Sequence, residues 1–184
     1  GLIVLQSGAV NPNSKYPCSG PDSQPIRCTH YHSSSVNLYD AIENSCNPYF
    51  WETFRDMFAS PRFTSSKDAY KYWYDLVTSF GLGSTFKTDI PAEASGNIPT
   101  ISFYDRMYRG VWNALTVRSL SIGQGEISVT PLQLANMAAA IGNTAAKRAA
   151  LAHTVFNVFG VIWMLATFKP FLKLVGLVMV TLGF

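Results

Sequence analysis

Charge is the scarcest commodity in this chain. Charged side chains make up 14% of its 184 residues, the net charge is +3, and the basic residues are scattered without a Lys/Arg run. A face able to track a phosphate backbone is thereby excluded, and no nucleic acid partner is expected. Histidine and cysteine are also few, with three of each. An odd cysteine count leaves at least one thiol outside any intramolecular disulfide. No secretory leader is visible: Gly1–Leu5 is apolar but short and lacks a basic approach. An initiator methionine is missing too, so the sequence is expected to begin in mid-protein. Apolar residues, by contrast, are plentiful at 48%. That is enough to build a core and to exclude wholesale disorder. The length suits one ordinary domain.

The chain is organised around Ala41–Phe50, A-I-E-N-S-C-N-P-Y-F. Leu38, Ala41 and Ile42 fit one helical face. Pro48 suits the first position of a new helix, where its missing N–H costs nothing. Tyr49, Phe50, Phe54, Met57 and Phe58 continue at helical spacing. The turn between the helices carries Ser45, Cys46 and Asn47. A hydroxyl and an amide two residues apart at such a junction can face a cleft together, as a hydrogen-bonded relay. From these residues alone the plainer reading is that they cap the helix ends, which Ser and Asn favour.

This stretch resembles the S-x-N element of penicillin-binding transpeptidases. Leu115–Asn143 agrees with it: its I-G-Q-G followed by T-P-x-Q-x-A is similar to the class B, elongation-type enzymes of the penicillin-binding protein 2 family. So are F-G-L-G at Phe80–Gly83 and S-G-N-I-P-T at Ser95–Thr100. The resemblance implies a mainly α chain cut from an α+β family, with residues 1–143 forming the central part of a transpeptidase domain. It implies acyl transfer onto a serine and crosslinking of peptidoglycan stem peptides, with β-lactams as inhibitory ligands. It implies the periplasmic side of a bacterial inner membrane. Ser45 would help shuttle a proton to the leaving amine, and Asn47 would hydrogen-bond the stem-peptide amide. The family's S-x-x-K nucleophile falls before Gly1 and its K-T-G strand does not follow, so this fragment is expected to be inactive alone.

Residues 9–36 are rich in Pro, Ser, Asn and Gly, and read as a long ordered loop or short strands. A loop this long needs a staple or a function. Cys18, Cys28, His32 and Cys46 form a candidate Cys3His set for structural zinc, with His30 as a competitor for His32. A Cys18–Cys28 disulfide is the alternative, natural in an oxidising compartment. By the family resemblance, Cys46, the middle residue of S-x-N, would be a zinc ligand, pinning the loop beside that turn.

Residues 1–8 are expected to end a helix capped near Gly8. Residues 49–60 and 67–80 are expected to be helices, the second capped by Ser66, with Tyr70, Trp73, Val77 and Phe80 in an apolar stripe. Residues 92–114 read as a loop with Phe103, Tyr104, Tyr108 and Trp112 beside Arg106 and Arg109. Thr130 and Pro131 open a helix running to about Ile141, with Leu132, Leu134, Ala135, Ala138 and Ile141 inward. Ser84-Thr85-Phe86-Lys87 is a literal S-x-x-K, but it follows Gly81 and Gly83 and runs into Pro91. A Ser–Lys pair of that spacing needs a helical turn, which this segment cannot sustain.

After Asn143 the composition changes. Residues 144–184 are strongly apolar, with Lys147, Arg148, Lys169 and Lys173 as breaks. Thr154–Leu172 is nearly the length of a membrane span, which needs about 20 residues. The run A-K-R-A-A-L-A-H-T-V-F-N-V-F-G-V-I-W is similar to bacterial sodium-dependent phosphate symporters, a second family that implies a joined chain and an attachment to the membrane. His153 and Asn157 lie one turn apart there, polar groups of the kind that serve transport when placed in a membrane.

Overall fold

The structure, a computed structural model, describes residues 1–89 and 91–142 together with Trp163. The expected membrane segments, with His153 and Asn157, lie outside the described residues. Among the described residues no helix is long and apolar enough to cross a membrane. The chain divides into two units, Gly1–Met137 and Ala138–Phe184. Everything below concerns the first of these, except for the helical residues 138–142.

The first unit is a set of short helices with a two-stranded ribbon. Helix α1, Leu2–Ser7, stops at Gly8, whose φ of 78° puts it in the left-handed region and lets its N–H reach Leu5 O. Strand β1 (Tyr16–Pro17) pairs antiparallel with β2 (Ser35–Val36), Tyr16 opposite Val36. The expected long loop is therefore a hairpin-like excursion whose ends are tied together. Helix α2, Leu38–Glu43, begins with a reciprocal cap: Asn37 Oδ1 accepts from Asp40 N at 3.0 Å, and Asp40 Oδ2 accepts from Asn37 N at 3.2 Å. Helix α3, Asn47–Ala59, follows after three residues, 44–46, with Pro48 in its first turn. Helix α4 is Ser66–Ser79, capped by Ser65 rather than Ser66.

The core lies between α3 and α4. Phe54, Met57 and Phe58 of α3 meet Ala69, Tyr70, Trp73 and Val77 of α4, all buried. The ring centroids of Phe54 and Trp73 stand 6.3 Å apart, edge to face. A second hub joins α4 to the segment expected to be a loop. There Ile101–Met107 is a helix, α5, because Thr100 caps it and Tyr104 faces inward with no exposure. The Tyr104 ring lies 5.5 Å from Tyr70 and 5.4 Å from Trp112. Each buried polar tip of the hub is answered: Tyr70 donates to Pro99 O (2.7 Å), Tyr104 to Glu126 Oε2 (3.0 Å) and Trp112 Nε1 to Asp105 Oδ1 (2.7 Å). Buried aromatic hydroxyl and indole groups need such partners.

Two expected faces are corrected. Ile42 is 65% exposed, because a six-residue helix turns only Ala41 fully inward. Residues 131–142 are helical as expected, but Leu134, Ala135, Ala138 and Ile141 are exposed and the inward position belongs to Gln133, 1% exposed. Gln133 is a tie. Its Oε1 accepts from Thr130 N (3.0 Å), while its Nε2 donates to Ser84 O (2.8 Å) and Ser95 O (2.7 Å). Thr130 Oγ1 returns the cap by accepting from Gln133 N at 3.2 Å. Gln133→Leu keeps the volume but leaves two carbonyls without a donor. It should lower unfolding free energy by about 1–3 kcal/mol in urea titrations; an unchanged midpoint would contradict the tie.

Candidate functional site

The turn between α2 and α3 is built from a specific helix ending. Cys46 N donates to Ala41 O at 2.9 Å and Ser45 N to Ile42 O at 3.4 Å, the paired pattern that closes a helix through a left-handed residue. Glycine usually fills that left-handed place. Here Ser45 does, at φ 49°, with its side chain exposed. The next residue, Cys46, is fully buried. Asn47 then opens α3 and donates from Nδ2 to Arg27 O at 3.2 Å. Alternation of out, in and half-out is therefore fixed by the backbone of the turn.

Ser45 and Asn47 share a groove of about 320 Å³ with Gly1, Phe50 and the segment Ser121–Gly123. The segment arrives through a 3-10 helix, Arg118–Ile122, whose Leu120 is buried in the main core and which packs against α3. Gly123 ends it at φ 71°, a conformation that keeps the backbone close to the groove. The I-G-Q-G stretch thus meets S-x-N and the start of α1 in one place. A larger cavity of about 430 Å³, with Val4, Phe54, Trp73 and Val77 in its wall, is lined by apolar side chains apart from Ser121. The polar groove is therefore the candidate for chemistry. Its hydroxyl is unspent: Ser45 Oγ makes no hydrogen bond among the described residues. Asn47 keeps Oδ1 as a free acceptor once Nδ2 is committed to Arg27.

Behind the turn, Cys18, Cys28, His32 and Cys46 bring one donor atom each to within 4.8 Å of one another. His32 Nε2 lies 3.4 Å from Cys18 Sγ and 3.3 Å from Cys28 Sγ. Zinc–sulfur and zinc–nitrogen bonds at a tetrahedral centre set an S···N edge of about 3.6 Å. The four residues fit such an ion. The surroundings fit too: His32 Nδ1 meets Ser33 O at 3.0 Å, which orients Nε2 toward the thiols, and Gly20 N donates to Cys18 Sγ at 3.4 Å. All three cysteines are free and buried, so the Cys18–Cys28 disulfide is not formed. Burial, partly opposed by the Tyr49 N–H, pushes the Cys46 thiol up to about 12, and Cys18 and Cys28 beside it add to the shift. His30 is outside the set; its Nδ1 pairs with Thr29 Oγ1.

Ser84 and Lys87 are not brought together on a helix. Residues 84–88 are non-helical, Lys87 has φ 55°, and Phe86 N and Thr88 N donate to the Glu93 carboxylate instead. The literal S-x-x-K is a loop held by a glutamate. What the sequence reading missed is Gln133, Arg27 O as the partner of Asn47, and Ser121 in the groove. Only Gln133, three residues after a helix-capping threonine, carried a readable signal.

A family model, the penicillin binding protein transpeptidase domain, matches residues 2–151, past the composition change at Asn143. The peptidoglycan D,D-transpeptidase MrdA of Acinetobacter baumannii is 35% identical over 106 residues, 58% of this chain and 14% of that protein. Penicillin-binding protein PbpB of Mycobacterium tuberculosis is 31% identical over 113 residues, 59% of this chain and 15% of that protein. The chain thus spans about a seventh of the length of these curated relatives. Among solved structures, Pseudomonas aeruginosa PBP2 aligns with TM-score 0.57 and 27% identity over 75% of this chain and 30% of that one. Helicobacter pylori PBP2 shares the fold, with TM-score 0.55 at 23% identity over 72% of this chain and 24% of that one.

The turn needs the left-handed backbone but no contact of the Ser45 side chain, so the serine itself should be dispensable for folding. Ser45→Gly is expected to leave the unit folded and to raise its unfolding free energy by about 0.5–1 kcal/mol. A loss of more than about 1 kcal/mol would mean that the serine serves the fold.

Proposed function

The chain belongs to the penicillin-binding protein transpeptidase domain family, and from that premise we propose that residues 1–143 are the central portion of an elongation-type peptidoglycan D,D-transpeptidase. The observation that carries this reading is the groove in which Ser45 and Asn47 meet the start of α1 and the Ser121–Gly123 turn. In this reading Ser45 Oγ relays a proton between the family's lysine and the nitrogen of the leaving D-alanine. Asn47 Oδ1 accepts from a stem-peptide amide, with Nδ2 held by Arg27 O. General acid–base help of this kind is worth about 10²–10⁴-fold. The site works on the periplasmic face of the bacterial inner membrane, on peptidoglycan, and is open to β-lactams.

Cys18, Cys28, His32 and Cys46 hold one structural zinc in this proposal. Bound there, the ion would cross-link the four side chains and leave no open position for chemistry. Cys46 ties the S-x-N turn to the 16–36 excursion, so Ser45 and Asn47 are fixed from behind while remaining open in front. For the apolar tail, the proposal is a joined segment from a membrane protein of the sodium-dependent phosphate transport family. Its support is the 146–163 sequence alone, and its test is amplification of the coding DNA across Asn143 as one piece.

Residues 1–184 alone should not be acylated by labelled penicillin, because their single S-x-x-K is the non-helical Ser84–Lys87. Residues 9–137 grafted in place of the matching segment of a full-length PBP2 should restore acylation, and Ser45→Ala in that graft should slow it by about 10²–10⁴-fold. A folded graft indifferent to Ser45→Ala would overturn the assignment. Protein purified without chelators should carry about one zinc per chain, falling well below that in Cys46→Ala; metal analysis finding none would remove the ion.

A further inference from the structure

Exposed large apolar side chains are concentrated in one short stretch of sequence, far along the chain from the groove residues of the S-x-N turn. Met107 is 56% exposed, Tyr108 40%, Val111 83% and Leu115 50%, all within nine residues of sequence. Single exposed apolar residues need no explanation, but a cluster does. The backbone here is built to present it. Arg109 and Gly110 are both left-handed, with φ 53° and 78°, and Tyr108 N and Val111 N close successive turns onto Tyr104 O and Tyr108 O. Trp112 is the anchor beneath: it is buried in the aromatic hub, with its indole N–H on Asp105. The outward residues are thus held on a rigid base.

The same segment is one-signed. Between Asp105 and Glu126 the chain carries Arg106, Arg109 and Arg118 and no acidic residue. The two flanking carboxylates are spent: Asp105 on Lys67 at 2.8 Å and on Trp112, Glu126 on the Tyr104 hydroxyl. Arg106 and Arg109 form no ion pair among the described residues. Leu115 also continues into a concavity of about 320 Å³ whose wall includes Trp51, Phe58 and Ala114, together with Arg55, which is paired with Glu52 and Asp56.

We propose that the Met107–Leu115 surface is a docking site for an acidic segment of a partner protein that carries an apolar anchor side chain. The anchor enters the concavity beside Leu115 and Trp51, and the acidic residues meet Arg106 and Arg109. Charge complementarity selects the sign of the partner and speeds encounter; the apolar contact supplies the hold. A flat lipid surface does not need a concavity, and three arginines are fewer than the four to eight basic residues of a lipid-binding cluster. This inference is independent of the proton relay and of zinc, since none of their residues takes part.

The test uses the whole chain, residues 1–184, and a fluorescein-labelled 14-residue probe of Glu and Ser with Leu and Phe four positions apart. A second probe has Lys in place of each Glu. By fluorescence anisotropy the acidic probe should bind at least tenfold more tightly than the basic one. Raising salt from 50 to 500 mM should weaken it severalfold. Val111→Asp and Arg109→Glu, both at exposed positions, should each weaken it at least tenfold with unchanged circular dichroism. Equal binding of the two probes, no binding, or indifference to both variants would overturn the proposal. So would retention on vesicles of phosphatidylglycerol and phosphatidylcholine that Val111→Asp abolishes, with no peptide binding, because the surface would then belong to lipid.

Discussion

The structure depends on one tight turn in which a buried cysteine is flanked by an exposed serine and a half-exposed asparagine. The left-handed backbone at Ser45 is the constraint. It lets Cys46 N reach back to Ala41 O, swings the Cys46 side chain into the interior, and starts α3 in the direction the core requires. A more relaxed ending to α2 would rotate Cys46 away from Cys18, Cys28 and His32, and would turn Ser45 out of the groove. A residue other than glycine in this conformation costs about 1–2 kcal/mol. Such a cost persists where surrounding structure over-determines the position.

Two sets of contacts provide that determination. On one side, the 16–36 excursion is fastened by the β1–β2 pairing, by Tyr16 donating to Asp56 Oδ2 of α3 at 2.6 Å, and by Asn47 holding Arg27 O. On the other, α3 is the common wall between the main core and the small cluster of Cys18, Cys28, Val36, Ala41, Cys46 and Tyr49. The same helix receives the Arg118–Ile122 turn through Leu120. The groove is thus assembled from three distant parts of the chain that share one rigid neighbour. The Tyr70–Tyr104–Trp112 hub does comparable work at the other end, supporting both the approach to Ser121–Gly123 and the exposed Met107–Leu115 surface.

Much of this was legible in the residues. Pro48 and the aromatic spacing announced α3, and Asn37 and Asp40 could have announced the cap of α2. The four metal-ligand candidates were readable because Cys and His in a Pro/Ser-rich stretch have few other uses. The rejection of Ser84–Lys87 followed from glycines and proline alone. What stayed hidden depended on tertiary context. Helix α5 is seven residues long, and its aromatic content gives no amphipathic period until Tyr104 is seen against Tyr70 and Trp112. Gln133 could be read as the partner of the Thr130 cap but not as buried, because the Ser84 and Ser95 carbonyls that its amide reaches lie far away in sequence. Leu134 and Ile141 were assigned inward because they are apolar and at helical spacing.

The account rests on the claim that the cysteine–histidine cluster holds the Ser45–Asn47 turn in place. Hydrogen–deuterium exchange of peptides covering 41–50 and 66–79, compared between the parent protein and Cys28→Ser, measures this most directly. The account predicts that amides of 41–50 lose protection by at least tenfold while α4 is unchanged. Equal protection of 41–50 in the two proteins, with the variant's metal content reduced, would contradict it.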